Sequence, residues 1–239
     1  MKTVVLDIET IPDERAMSGC GYVQQQDEFA PWPFHQLACA SLLTIDGHSW
    51  NTLDFGLQSF SKGAMSEKAI VANVERIIER ADQILTYNGR RHDIPVLLAR
   101  AIVMGEDVPT LARLSNTARP GLHYDLHDTI KRSTGAGIKL AHLCAAFSIP
   151  VKPESRERVA NAVEEGRWSD IEHYCETDVV ATWLAAQMWD SAENAGFGLD
   201  RWRTLADWIE REQQLNPHIH LFCKMPDAPT SRGCVDIHF

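Results

Sequence analysis

Short apolar runs separated by polar turns predict strands in the first quarter of the chain. Residues 4–8 form an apolar run that ends at acidic side chains, which is typical of a buried strand. Residues 37–45 and 49–56 also have strand character, and the Asp46-Gly47 dipeptide between them is a hairpin turn signal. The pattern therefore predicts three strands, with the last two joined as a β-hairpin.

Helical periodicity follows these strands. Ser66 precedes apolar residues at helical spacing through about residue 82, so we expect it to cap a helix. A short apolar run at residues 84–87 predicts a fourth strand, and a helix is expected over residues 93–104. Between the first and second strands, residues 12–36 are polar and contain Pro and Gly, which predicts a long loop.

The second half of the chain is predicted to be mostly helical. Ser169 is followed by Glu172 at the spacing of a capping box, so a long helix should begin there. The predicted helices of this half are residues 139–147, 154–165, 169–195 and 199–214. Alternating strands and helices, followed by helices alone, indicate an α/β fold with a helical C-terminal half.

The composition excludes several classes of protein. The 239 residues carry a formal net charge of −10, which argues against a protein that coats nucleic acid by neutralising its phosphates. No apolar run approaches the roughly 20 residues of a transmembrane helix. The six cysteines form no CxxC pair that would indicate zinc. Because acidic residues interrupt the N-terminal apolar run too early for a signal peptide, we expect a cytoplasmic protein without a membrane partner.

The length predicts one large domain with a substantial core. We place this domain at residues 1–195, and residues 196–239 are expected to form a helix and tail packed on it. This C-terminal segment either caps the domain or mediates a homodimer.

Acidic side chains occur at three places where strands and helices can carry them into one site. Asp7 and Glu9 are two apart on the first strand, so both point to one face while Ile8 points to the other. Asp93 follows a strand and opens a helix, and Asp178 lies in the long helix. Taken singly, these acids are explained as a solvent-facing strand edge, a helix N-cap and a surface residue. Gathered together, they would hold divalent metal ions.

The segments around these acids resemble a known family. DIE at residues 7–9, NGRRHD at 88–93 and YCETD at 174–178 are similar to the three exonuclease motifs of the DEDD superfamily, in the same order. Within it, the chain resembles the predicted 3′–5′ exonucleases related to the proofreading domain of family B DNA polymerases, over about residues 1–190. The resemblance implies an RNase H-like fold, in which helices flank a mixed sheet.

The resemblance also implies the catalytic carboxylates Asp7, Glu9, Asp93 and Asp178. They would hold two ions, Mg²⁺ or Mn²⁺, because these hard cations prefer oxygen ligands. Such a pair of ions would activate water and stabilise the leaving 3′ oxygen of a terminal phosphodiester. The expected substrate contacts are Thr10, Asn88 and Lys152.

Two residues compete for the role of orienting the attacking water. The superfamily uses either a Tyr four residues or a His five residues before the final Asp, and this chain has both Tyr174 and His173. A helix turns about 100° per residue, so Tyr174 lies roughly 40° and His173 roughly 140° from Asp178. This geometry favours Tyr174, as does the likeness of YCETD to the Tyr-containing motif.

The expected activity is a 3′–5′ exonuclease that releases nucleoside 5′-monophosphates from single-stranded 3′ ends, with DNA preferred. RNA is an alternative substrate, because the motifs contact metal and phosphate rather than the sugar. The same motifs also leave open a non-catalytic binding module and an endonuclease. The family carries an aromatic residue directly before the middle Asp, and this chain has His92 there. This departure from the family pattern affects the expected contacts to the base or sugar of the terminal nucleotide. The H-x-D-x-H-D stretch at residues 123–128 matches no zinc spacing and is expected to be scaffold beside the site.

Overall fold

The computed structural model describes residues 1–25, 29–49, 52–115, 121–150, 156–193, 195–212 and 217–226. Within them, one sheet contains β1 (Lys2–Pro12), β2 (His35–Ser49), β3 (Thr52–Ser61), β4 (Gln83–Thr86) and β5 (His123–Asp125). The strand order is β3-β2-β1-β4-β5. β2 is antiparallel to both β1 and β3, whereas β4 is parallel to both β1 and β5. This sheet confirms the predicted mixed α/β fold.

Helices cover both faces of the sheet. The α-helices of the described residues are α1 (Glu14–Cys20), α2 (Glu67–Ile78), α3 (Asp93–Met104), α4 (Pro109–Ser115), α5 (Leu126–Thr134), α6 (Leu140–Ala146), α7 (Arg156–Glu164), α8 (Trp168–Asp190) and α9 (Ala195–Arg211). Short 3₁₀ segments are Trp32–Phe34, Ser191–Glu193 and Pro217–Cys223. Among the helices of this described part, none combines the length and apolar character needed to cross a membrane.

β1 divides its side chains between two layers. Leu6 and Ile8 pack in the core cluster that contains α2 and α3, whereas Val5 packs with α8 and α9 on the opposite face. Because strand side chains alternate, Asp7 and Glu9 continue the face of Val5 and point toward α8. The alternation of side chains along β1 therefore places both acids on the same face of the sheet.

The C-terminal helix packs against the core of the sheet. Trp202, Leu205 and Ile209 of α9 are buried in the cluster that contains Val5. The following 3₁₀ segment adds the fully buried Phe222, whose carbonyl accepts a 2.7 Å hydrogen bond from Nε1 of Trp202. The described part of the segment after residue 195 is thus joined to the sheet by apolar contacts and a buried hydrogen bond.

The prediction of a continuous loop over residues 12–36 is wrong at α1. Asp13 caps this helix by accepting a 3.0 Å hydrogen bond from the Ala16 N–H. Gly21 ends the helix with a left-handed φ of 71°, a conformation that favours glycine. Met17 is its one buried residue, so the helix lacks the apolar stripe on which periodicity depends.

The predicted hairpin turn at Asp46-Gly47 is also wrong. The two residues lie inside β2, where they pair with Asp54 and Leu53 of β3. On the other side, Lys2 pairs with Asp46, and the N-terminal amine donates a 3.1 Å hydrogen bond to the Gly47 carbonyl. Pairing on both sides keeps β2 extended past its turn signal.

α8 begins differently from its prediction. Arg167 is the N-cap residue and makes no side-chain cap hydrogen bond, so Ser169 opens no capping box. The Glu172 carboxylate instead accepts a 2.5 Å hydrogen bond from the Ser61 hydroxyl of β3. The helix ends at Asp190, five residues before its predicted end at residue 195.

Candidate active site

Three carboxylates meet where α8 packs against β1. Asp7 and Glu9 come from β1 and Asp178 comes from α8. Each offers one oxygen atom, and these three oxygens lie within 4.8 Å of one another. This distance allows one cation to contact all three side chains.

Asp93 brings a fourth carboxylate to the same place. It is the first residue of α3, and only 4% of its surface is exposed. Within the described residues, its Oδ2 atom is buried without a hydrogen-bond partner. A buried carboxylate oxygen in that state is unfavourable unless a cation or a donor approaches it. The unpartnered oxygen therefore fits a metal ligand.

A cavity of about 380 Å³ joins these groups. Its described lining contains all four carboxylates together with Thr10, Asn88 and Tyr174. The other lining residues are Ile8, Phe29, Tyr87, His92 and Val159. The structure thus brings together the predicted catalytic residues and two of the three predicted substrate contacts, while Lys152 lies outside the described residues.

Tyr174 and His173 face different parts of the molecule. Tyr174 lies one helical turn before Asp178 and lines the cavity with it. The His173 ring centroid lies 4.1 Å from that of His218 in the C-terminal 3₁₀ segment. Nε2 of His218 is in turn 2.9 Å from Oε2 of Glu176. His173 therefore packs against the C-terminal segment, and Tyr174 is the one of the two in the cavity lining.

Asp125 holds the turn between β4 and α3. Its Oδ1 accepts a 3.0 Å hydrogen bond from the Asn88 N–H, and its Oδ2 accepts a 2.9 Å bond from the Arg90 N–H. A Cβ at Gly89 would lie 2.6 Å from the Thr86 side chain, so the turn requires glycine there. The turn leads directly into α3 and its first carboxylate.

A second group of metal-ligand residue types has a structural role. Asp125, His127 and Asp128 have ligand atoms within 4.8 Å of one another. Both oxygens of Asp125 already accept backbone N–H groups, and Oδ1 also caps α5 through the Asp128 N–H at 3.1 Å. Arg90 and Arg91 lie 3.9 and 3.6 Å from the Asp128 carboxylate. We assign no metal to this group.

Burial and charge repulsion hold the pKa values of Asp7, Glu9 and Asp93 well above their usual range. For Asp7 the larger cause is burial, followed by the charge of Asp93. For Glu9 it is burial, followed by the charges of Asp7 and Asp178. For Asp93 it is burial, followed by the charge of Asp125. A divalent cation would offset this repulsion, and the oxygen-only donor set suits Mg²⁺ or Mn²⁺.

Thr10 has its hydroxyl proton directed away from the carboxylates. The His35 ring donates from Nε2 to the Ala30 carbonyl at 2.8 Å, so its Nδ1 accepts from the Thr10 hydroxyl at 2.9 Å. Burial lowers the pKa of His35, which keeps the ring neutral. Thr10 thus offers its oxygen lone pairs to a ligand, because its proton is already engaged.

Sequence reasoning missed several residues around the carboxylates. Sγ of the fully buried Cys175 lies 3.4 Å from Oδ2 of Asp7. Phe29 lines the cavity, and its ring centroid is 4.6 Å from that of His35 and 5.0 Å from that of His92. The position of Cys175 inside the YCETD motif was an available signal, whereas the placement of Phe29 depends on contacts distant in sequence.

The chain belongs to a family of predicted 3′–5′ exonucleases related to the exonuclease domain of PolB, whose sequence profile matches residues 27–225. The matched range contains Asp93, Tyr174 and Asp178, and β1 with its two acids precedes it. This membership confirms the resemblance seen in the motifs. The members of this family are predicted 3′–5′ exonucleases, which agrees with the predicted enzyme class.

Similar proteins include DNA polymerases much longer than this chain. A DNA polymerase from Pyrococcus glycovorans is 23% identical over 246 residues, which cover 89% of this chain and 30% of the polymerase. The solved family B DNA polymerase of the archaeon Pyrobaculum calidifontis has a TM-score of 0.56 at 14% identity, covering 94% of this chain and 27% of that one. A solved structure of exonuclease I has a TM-score of 0.49 at 14% identity, covering 88% of this chain and 45% of that one. The chain spans less than a third of either polymerase, and the likeness to the solved polymerase concerns the fold alone.

Proposed function

We propose that the protein is a metal-dependent 3′–5′ exonuclease that releases nucleoside 5′-monophosphates from single-stranded 3′ ends. The observation that carries this proposal is the meeting of Asp7, Glu9 and Asp178 within 4.8 Å, at a cavity that Asp93 and Tyr174 also line. Four carboxylates at one cavity provide enough oxygen ligands for two divalent ions, Mg²⁺ or Mn²⁺. Membership of the exonuclease family supports the same chemistry.

Each residue of the site has a role in this proposal. Asp7, Glu9 and Asp178 would hold one ion, and Asp7 and Asp93 would hold the other. When bound, such ions lower the pKa of water and stabilise negative charge on a leaving 3′ oxygen. The Tyr174 hydroxyl orients the attacking water by hydrogen bonding, and the Glu9 carboxylate contacts the terminal 3′-hydroxyl.

Single-stranded DNA is the proposed substrate. The relatives named PolB and DNA polymerase support DNA over RNA. Thr10 and Asn88 line the cavity and are proposed to contact the terminal nucleotides, together with Lys152. Because the chain carries a net charge of −10, we expect substrate binding to require the metal ions, which supply positive charge where the phosphate lies.

A digest of end-labelled oligonucleotides tests the polarity of cleavage. In Mg²⁺ or Mn²⁺, a single strand labelled at its 3′ end should lose the label at once as a mononucleotide. The same strand labelled at its 5′ end should shorten stepwise, and EDTA should stop both reactions. A closed circular single strand should stay intact, and its cleavage would identify an endonuclease instead.

Matched DNA and RNA strands of one sequence test the choice of sugar. We expect faster release from DNA, and cleavage of RNA alone would overturn the DNA preference. A protein that binds these strands but releases no mononucleotide in either metal would be a non-catalytic binding module.

A further inference from the structure

Cys175 contacts one of the proposed metal ligands from the core of the protein. It lies on α8 next to Tyr174 and is fully buried. Its Sγ is 3.4 Å from Oδ2 of Asp7 and 3.4 Å from the main-chain oxygen of the same residue. A main-chain oxygen only accepts hydrogen bonds, as does a carboxylate in the ionised form that binds a metal, so the thiol is the donor. One sulfur thus touches both the carboxylate and the backbone of Asp7.

The surroundings of this thiol shield it from water. The buried residues that pack with it are Ala38, Cys39, Val159, Ala162 and Ile171. Cys39 of β2 pairs with Glu9 of β1, so this cluster lies beside the two acids on the same face of the sheet. Asp7 is therefore contacted by the thiol on its core side while it lines the cavity on the other.

A thiol can hold a metal-binding carboxylate without competing for the metal. Sulfur is a soft ligand, whereas Mg²⁺ and Mn²⁺ prefer oxygen. A thiol carries one proton that it can donate in a hydrogen bond. The Cys175 thiol can therefore hold Asp7 by a hydrogen bond and leave the metal ion to the oxygen ligands.

We propose that Cys175 is a positioning residue for Asp7, whose thiol hydrogen bond fixes the Asp7 carboxylate in its metal-binding orientation. The inference rests on the metal-dependent function proposed above. Because Cys175 is adjacent to Tyr174 and three residues before Asp178, the same contact fixes α8 along β1. The thiol therefore aligns the helix residues of the site with the strand residues.

Three substitutions separate the hydrogen bond from the volume of the side chain. Cys175→Ser keeps a donor, Cys175→Ala removes both donor and volume, and Cys175→Val removes the donor but fills the space. Mn²⁺ affinity is measured by calorimetry on the full chain, and kcat and KM are measured on a single-stranded oligonucleotide. Cys144→Ala is the control, because Cys144 is equally buried but belongs to a different core cluster.

We expect Cys175→Ala and Cys175→Val to weaken Mn²⁺ binding about 10-fold and to lower kcat by a similar factor, as loss of an outer-shell partner does. The KM for the oligonucleotide should stay near that of the wild type, and Cys175→Ser should restore most of the metal affinity. Cys144→Ala should match the wild type in all three quantities.

Unchanged Mn²⁺ affinity in both the Ala and Val variants would overturn the positioning role. Equal weakening in all three Cys175 variants, Ser included, would also overturn it, because packing alone would then explain the effect. A wild type that binds Mn²⁺ but releases no mononucleotide would contradict the proposed function, while the metal titration still decides the role of the thiol. A wild type that binds no Mn²⁺ would contradict both.

Discussion

At the scale of single residues, the carboxyl group of Asp93 links the proposed metal site to the stability of the protein. It is buried, its Oδ2 is without a hydrogen-bond partner among the described residues, and its pKa is raised by burial and by the charge of Asp125. The stability that its protonated form contributes is present below the unfolded pKa of about 4 and is lost as pH rises through the higher folded value. The metal-free protein should therefore lose stability as pH rises.

Asp93→Asn tests this linkage. In EDTA, the melting temperature of the wild type should be lower at about pH 8 than at about pH 5, and the variant should reduce this difference. At the higher pH we expect the variant to melt about 2–4 °C above the wild type, the shift that ~1 kcal/mol gives in a chain of this size. Added Mn²⁺ should stabilise the wild type more than the variant. Identical melting curves for the two proteins in EDTA at both pH values would contradict the account.

Tyr174 and His173 are separated by a pair of substitutions. Tyr174→Phe removes only the hydroxyl that we propose orients water, so kcat should fall about 10²-fold while Mn²⁺ affinity stays unchanged. His173→Ala should keep kcat within about 3-fold of the wild type, because the His173 ring packs against His218. Steady-state kinetics on one oligonucleotide give kcat for the two variants and the wild type. The reverse order of effects would assign the role to His173.

The acids of the site were predictable from the sequence because carboxylates at strand and helix junctions suit metal chemistry. Asp7 and Glu9 follow from strand alternation, and Asp178 follows from its spacing to Tyr174 on one helix. The motif places Cys175 near the site, but its contact with Asp7 was not predictable, because that contact depends on how far α8 is displaced along β1. Tertiary packing sets the position of α8 along β1, and the local periodicity of the sequence does not indicate this position.

At the scale of the elements, the turn between β4 and α3 depends on a single side chain from another strand. Asp125 of β5 accepts the N–H groups of Asn88 and Arg90 and also caps α5 through Asp128. A carboxylate with three backbone donors joins the two parallel strands to the helices that follow them. Its loss should affect both the stability and the site.

Asp125→Ala should lower the free energy of unfolding by about 2–3 kcal/mol, because buried N–H groups lose their charged acceptor. It should also reduce exonuclease activity, since the turn carries Asn88 and leads into Asp93. Asp128→Ala, one turn further along, removes longer contacts to two arginines and to His127 and should cost under ~1 kcal/mol. Urea unfolding measures the free energy of unfolding of both variants. Equal losses in the two variants would contradict the assigned role of Asp125.

Helices with a long apolar face were predicted well. α2 follows Ser66, whose hydroxyl accepts a 3.3 Å hydrogen bond from the Ala69 N–H, and α3 spans the predicted residues 93–104. α1 was missed because it buries only Met17 and so has no periodic apolar stripe, and the seven-residue α4 was missed as well. The turn signal at Asp46-Gly47 was overridden by pairing with strands on both sides.

At the scale of the whole molecule, the C-terminal segment contributes to the main core. Ile219 and Phe222 are fully buried there, and His218 contacts the ring of His173 on α8. This contact brings the C-terminal 3₁₀ segment close to the part of α8 that carries Tyr174. The assignment of residues 196–239 to the same domain, the homodimer and the cytoplasmic location stay predictions.

Phe222→Ala tests whether the C-terminal segment unfolds together with the sheet. Loss of this buried ring should lower the free energy of unfolding by about 3–5 kcal/mol, and thermal unfolding should remain a single transition at a lower temperature. His220→Ala changes an exposed residue of the same segment and should have little effect. A separate early transition confined to the variant would instead indicate that the C-terminal segment unfolds independently.

Release of mononucleotides from a 3′-labelled single strand, compared between the wild type and Asp7→Ala, tests the central claim most directly. Asp200→Ala serves as the matched control, because Asp200 is an exposed acid on α9 that pairs with Arg203. The account predicts that the wild type and the control release the label in Mn²⁺ but not in EDTA, and that Asp7→Ala lowers the rate at least about 10³-fold. An unchanged rate in Asp7→Ala, or release that persists in EDTA, would contradict it.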